Sequence, residues 1–91
     1  MRVRVPASLG RGGQAGVIEV DVASGATVRS VLAEIDRQLP GSLARMVNGD
    51  GRLHGYVNIY VNGVDIRHGD HTDTAVRESD EVLILPAISG G

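Results

Sequence analysis

The group in this chain best placed for chemistry is its terminal carboxylate. Leu85-Pro86-Ala87-Ile88-Ser89-Gly90-Gly91 ends the sequence on two glycines, directly after the apolar run Val82-Leu83-Ile84-Leu85. With 13 glycines in 91 residues, a terminal pair arises by chance about once in fifty. The dipeptide alone is therefore weak; its place behind a strand-like segment singles it out. Two residues without Cβ can thread a narrow cleft and take whatever backbone conformation an active site imposes. The six residues after Leu85 span about 20 Å when extended, enough to enter a partner enzyme. A carboxylate is a poor electrophile. It must be activated, by adenylation in such a partner, before it can accept sulfur as a thiocarboxylate or accept an amine. Gly91 is thus the expected attachment point, and Pro86, Ala87, Ile88, Ser89 and Gly90 form the arm that presents it.

Three other constellations carry less. Gly10-Arg11-Gly12, followed by Gly13 and Gly16, loosely matches a phosphate-binding loop. Such loops need a helix after them so that its N–H groups meet the phosphate; here a strand pattern follows, and an ordinary hairpin loop is expected. His68 and His71, with Asp70 and Asp73 nearby, make an H-x-x-H cluster. Metal ligation needs three or four groups converging on a firm frame, and a solvated polar loop is the expectation. Asn48 and Asp50 lack the remaining carboxylates of a calcium loop.

Composition removes further classes. Without cysteine there are no disulfides, zinc–thiolate sites, iron–sulfur clusters or thiol nucleophiles. All nine basic residues are Arg, so no side chain can serve as a Schiff-base lysine or an isopeptide acceptor. A net charge of −2 gives no electrostatic case for nucleic acid. No apolar run approaches twenty residues and no signal-peptide pattern opens the chain, which predicts a cytoplasmic protein with no membrane association.

The elements that must position the tail are legible as periodicities. Arg2-Val3-Arg4-Val5 alternates, with Val3 and Val5 inward, and so does Ile18-Glu19-Val20-Asp21-Val22. Arg2 and Arg4 against Glu19 and Asp21 suit an antiparallel hairpin. Thr27 is a good N-cap. Behind it Val28, Val31, Leu32, Ile35 and Leu39 form one helical stripe, stopped by Pro40-Gly41. Leu43, Met46 and Val47 suggest a short helical turn. Tyr56 to Asn62 alternates again, Asn62-Gly63 is a strong hairpin signal, and Val64 to Arg67 should fold back. His68 to Glu78 is predicted as a loop with a helical turn near Thr74-Ala75-Val76. Glu81 to Leu85 is the last strand.

Pairing the first strand with the last places the last centrally, with the helix across the sheet. The fold class is α+β: a β-grasp, ubiquitin-like, with a mixed four- to five-stranded sheet packed on one main helix. Residues 1–85 form the domain and 86–91 a flexible C-terminal Gly-Gly tail. Val82 and Ile84 point inward, so Leu83 and Leu85 share the outer face with Glu81. Tyr60 projects beside them. Tyr60, Leu83, Leu85 and Pro86 are expected to form an exposed apolar patch at the tail's root, of the kind that marks a partner surface.

On these residues the chain resembles the ubiquitin-like sulfur carriers, the ThiS/MoaD superfamily, and within it the CysO type. The likeness runs along the whole length. It is most specific in Leu53-His54-Gly55-Tyr56-Val57-Asn58-Ile59-Tyr60-Val61-Asn62, in Asp65-Ile66-Arg67 and in Leu85 to Gly91. The resemblance implies a carrier of cysteine biosynthesis, with no catalytic residues, no metal and no bound cofactor of its own. An E1-like adenylyltransferase of the MoeB/ThiF type would use ATP to adenylate Gly91, and a sulfur donor enzyme would then convert it to a thiocarboxylate. A PLP-dependent cysteine synthase of the CysM type would take that sulfur, and a zinc metallopeptidase would release the cysteine from the tail. The alternatives are a MoaD-like small subunit of molybdopterin synthase, a carrier for thiamine or secondary-metabolite biosynthesis, a ubiquitin-like protein modifier, and a plain interaction module.

Overall fold

The computed structural model describes residues 1–86. Five strands and two helices follow in the order β1 (Arg2–Val5), β2 (Gly16–Glu19), α1 (Val28–Gln38), α2 (Ser42–Met46), β3 (Val57–Val61), β4 (Val64–Asp65) and β5 (Glu81–Pro86), with single 3-10 turns at Arg11–Gly13, Ile66–His68 and His71–Asp73. The sheet order is β2-β1-β5-β3-β4. β5 runs parallel to β1 and antiparallel to β3. The last strand is therefore central, and the fold is a five-stranded β-grasp.

The core forms where the inward row of the sheet meets the stripe of α1. Val3, Ile59, Val82 and Ile84 from the sheet, and Val28, Leu32 and Ile35 from the helix, are all at most 1% exposed. Removing each such side chain from water is worth about 1.5–3 kcal/mol. The helix is set in register at its start by a reciprocal cap: Thr27 Oγ1 accepts from the Ser30 amide and Ser30 Oγ accepts from the Thr27 amide. At its end Asp36 accepts from the amides of Gly41 and Leu43 at 3.1 and 3.0 Å, turning the chain into α2. Gly41 makes that turn at φ 94°, a left-handed conformation that favours glycine.

Four expectations need correction. β2 starts at Gly16 and ends at Glu19, so Arg2 faces Glu19 while Arg4 faces Val17; Asp21 lies beyond the pairing and Arg4 has no acidic partner opposite. Val20 and Val22 still pack toward the core: Val20 exchanges two bonds of 2.9 Å with Met1, one residue beyond the named strands, and the alternation continues to Val22 after the pairing has ended. β4 is two residues long, and Ile66 to His68 curls into a 3-10 turn capped by Asp65, whose Oδ1 accepts from the Arg67 amide at 2.8 Å. The helical turn lies at His71–Asp73 and not at Thr74 to Val76. Ala75 instead bridges to Thr27 and Val76 is buried. Finally, Pro86 belongs to β5, opposite Val57. The Asn62 amide donates to the Glu81 carbonyl at 2.8 Å, so the pairs two and four residues along, Tyr60–Leu83 and Asn58–Leu85, fall at bonded positions and Val57–Pro86 does not. A proline there removes no bond to β3.

Candidate functional site

β5 is the root of the arm that ends at Gly91, and it is held at its start and along its length. At its start, the Asn62-Gly63 turn, with φ 50° and 81°, supplies a side-chain clamp. Asn62 Oδ1 accepts from the Glu81 amide at 2.9 Å while its Nδ2 donates to Asp80 Oδ1 at 2.9 Å. Asp80 Oδ2 also accepts from the Arg77 amide at 2.8 Å. The Asn62 bond first, and the Arg77 amide second, hold the Asp80 carboxyl below its ordinary pKa. Along its length, Val82 and Ile84 are 1% exposed. The strand cannot slide by one residue without turning this pair outward.

On the outer face one row crosses the sheet: Val17, Arg4, Leu83, Tyr60 and Asp65 stand opposite one another on successive strands. Leu83 and Tyr60 are half-buried, whereas Val17 is 44% and Leu85 40% exposed. Tyr60, Leu83, Leu85 and Val17 line an open depression, with Arg2 and Arg4 at its edge. The expected grouping of Tyr60, Leu83 and Leu85 is therefore present. Pro86 is not part of it. Pro86 alternates onto the side of Ile84 and lines a separate cleft.

That cleft, of about 450 Å³, lies at the end of β5 and is walled by Pro6, Leu9, Arg45, Tyr56, Leu85 and Pro86. Leu85 borders both hollows, so the root of the arm is flanked by apolar surface on each side. Tyr56 was expected to share the outer face with Tyr60. It precedes β3 instead, and its ring stacks on His54 with centroids 4.9 Å apart. The His54 ring nitrogen Nε2 contacts the Ala44 carbonyl at 3.2 Å. Arg45 Nη1 donates to the Ser8 carbonyl at 2.9 Å across the cleft mouth. The Tyr56 and Arg45 positions escaped the sequence reading because no periodicity links a pre-strand tyrosine to a residue of α2. The pair Leu85-Pro86 was the one available signal.

The other candidates are distributed elsewhere. Asp73 pairs with Arg29 at 3.0 Å, and the Asp70 and His71 carbonyls close the local turn. Among the described residues no three His, Asp or Glu side chains gather as for a metal ion. Asp50 accepts from the Arg52 amide at 3.1 Å, closing a turn. The Gly10–Gly16 segment leads through its 3-10 turn into β2, not into a helix. Ala87, Ile88, Ser89, Gly90 and Gly91 lie outside the described residues. Among the described residues no helix is long and apolar enough to cross a membrane.

The ThiS family model matches residues 4–91. The sulfur carrier protein CysO of Mycobacterium tuberculosis is 39% identical over 71 residues, which is 76% of this chain and 76% of its own. Small archaeal modifier protein 3 of Haloferax volcanii is 33% identical over 66 residues, 72% of this chain and 71% of its own. A chain in the crystal structure of the Amycolatopsis orientalis BexX/CysO complex matches with a TM-score of 0.82 at 34% identity, covering 99% of this chain and 98% of that one.

Proposed function

The chain belongs to the ThiS family, whose matched relatives are sulfur carriers and ubiquitin-like modifiers, and on that footing we propose that it carries sulfur on the carboxyl group of Gly91. An E1-like adenylyltransferase joins that carboxylate to AMP from ATP, releasing pyrophosphate. Hydrosulfide delivered by a donor enzyme then attacks the acyl carbon and AMP leaves, giving a thiocarboxylate. The thiocarboxylate sulfur adds to an aminoacrylate in a PLP-dependent cysteine synthase, and the Gly91 acyl group moves from that sulfur to the amine of the new cysteine. A zinc metallopeptidase hydrolyses the resulting amide, releasing cysteine and restoring the carboxylate. The chain contributes no catalytic group. It contributes a firm root, an arm and two apolar flanks, with Tyr60, Leu83 and Leu85 as the docking face.

The observation that carries this reading is the central position of β5. A strand fixed by Val82, Ile84 and the Asn62–Asp80 clamp delivers Pro86 to one defined place. Gly91 is five residues beyond it, a reach of about 17 Å. Any enzyme that grips the outer face of β5 has the carboxylate within that maximum reach, which raises its local concentration.

Intact-mass spectrometry of the protein isolated from its own cells tests this. A species heavier by one oxygen-to-sulfur exchange, located in the C-terminal peptide, is expected. Its absence, together with unchanged growth when Gly91 is deleted, would sink the reading. The likeness to the small archaeal modifier protein favours a second reading, in which the adenylated Gly91 is transferred to lysines of other proteins. The same spectra would then show adducts through Gly91 in place of the sulfur species.

A further inference from the structure

A third hollow, of about 580 Å³, lies between the loop at residues 50–53, the first turn of α1 and the 3-10 turn at His71–Asp73. Arg29, Asp50, Arg52, Leu53, Arg67 and Thr72 are among its walls. Three of the nine arginines line it in a chain whose net charge is −2, against a single lining carboxylate, Asp50.

Arg67 is the least balanced of the three. Its Nη1 donates to Asn58 Oδ1 at 2.9 Å, and its Nη2 donates to the His54 and Val57 carbonyls at 2.9 and 2.7 Å. All three acceptors are neutral, and no ion pair among the described residues includes Arg67. A half-buried guanidinium with only neutral partners has no compensating charge among the described residues, and a nearby anion would supply one. Arg29 Nη2 is bonded to Asp73 at 3.0 Å and to Thr72 Oγ1 at 3.3 Å. Its Nη1 side meets Gly51, where a Cβ would stand 3.5 Å away. Gly51 has φ +83°, so glycine is favoured there, and its bare backbone leaves that side of the guanidinium uncovered. Arg52 reaches over the rim, largely exposed, 4.0 Å from Asp50 Oδ2.

We propose that this hollow binds an oxyanion, a phosphate or carboxylate group, between the guanidinium groups of Arg29, Arg52 and Arg67. Planar forked donors suit both groups, which accept two parallel N–H bonds. The anion is either a free small molecule or an acidic side chain of a bound protein segment. Arg67 joins the hollow to the tail root, because the two carbonyls it holds flank Tyr56 in the chain. An anion here would tighten the segment that carries one wall of the cleft beside Pro86. The inference does not depend on whether Gly91 carries sulfur.

Amide chemical shifts of the full chain test it. Inorganic phosphate, and separately a tetraglutamate peptide, are titrated against sodium chloride at constant ionic strength. Saturable shifts are expected at Gly51, Arg52, Leu53 and Thr72, with the outer sheet face unmoved. Saturation by phosphate identifies the free anion, and saturation by tetraglutamate alone identifies the acidic segment. Arg52→Glu places a like charge at an exposed position, so it should keep the native spectrum elsewhere and weaken binding by about tenfold or more. Arg29→Gln serves as the second variant and should weaken binding in the same direction. Linear drift identical in chloride, or binding by both variants as tight as the parent's, overturns the site.

Discussion

The two faces of β5 are both aliphatic and do different things. Val82 and Ile84 are sealed against Val3, Ile59 and α1, whereas Leu83 and Leu85 alternate with them onto the outer face beside Tyr60. A leucine on the outer row contributes little to the core, because one side of it already meets water. The comparison teaches that period two lets six residues anchor a terminus and present a docking surface at once. Stability and partner recognition should therefore separate cleanly by residue parity along this strand.

The largest effect is expected from the inner row. Ile84→Ala removes buried methyl groups and leaves a cavity, and it should destabilise the domain by about 2–5 kcal/mol, read from the denaturant midpoint at constant slope. A loss below about 1 kcal/mol would mean that β5 is not the anchor. Leu83→Glu breaks the outer row instead. It should lower adenylation by the partner enzyme about tenfold or more through KM, while the unfolding midpoint stays within about 1 kcal/mol of the parent. If folding suffers as much as docking does, the parity rule is wrong. Gly90→Ala adds one Cβ to the arm and should slow activation with the unfolding curve unchanged; normal activation would show that slenderness is unimportant.

The smallest effect belongs to the clamp at the start of the strand. The folded Asp80 carboxyl is held below its ordinary pKa, by Asn62 first. Its contribution is therefore complete above the unfolded carboxylate pKa of about 4 and fades as pH falls through the lower folded value. Asp80→Asn should flatten the acid limb of the stability–pH curve relative to the parent. Coincident acid limbs in the two proteins would remove the clamp from the account. Glu78, lowered by its bond to the Met1 ammonium, and Glu34, lowered by its bond to Arg37, titrate in the same direction and contribute to the remaining slope.

Much of this arrangement was legible from the residues because each inner position repeats a simple period. The stripe Val28, Val31, Leu32, Ile35 gave the helix, Thr27 its start, and Asn62-Gly63 the turn between β3 and β4. What escaped was pairing and short-range curl. Val20 and Val22 look like strand residues because they are packed; Val20 exchanges bonds with Met1, just before β1, but the pairing does not extend to Val22. Three-residue 3-10 turns such as His71–Asp73 rest on one or two bonds and leave almost no compositional trace. Pro86 reads as a break until the ladder shows that its missing N–H faces no acceptor on β3. The basic hollow joins Arg29, Arg52 and Arg67 from three separate segments, a convergence that only the fold creates.

The central claim is that the carboxyl group of Gly91 is the reactive group. The direct measurement is pyrophosphate release from ATP by the E1-like adenylyltransferase of the same cells. It compares the full chain with one ending at Gly90. The account predicts release in proportion to the full chain, with the adenylate on Gly91, and none above background for the shortened chain. Equal release with both chains, from folded proteins, would contradict it.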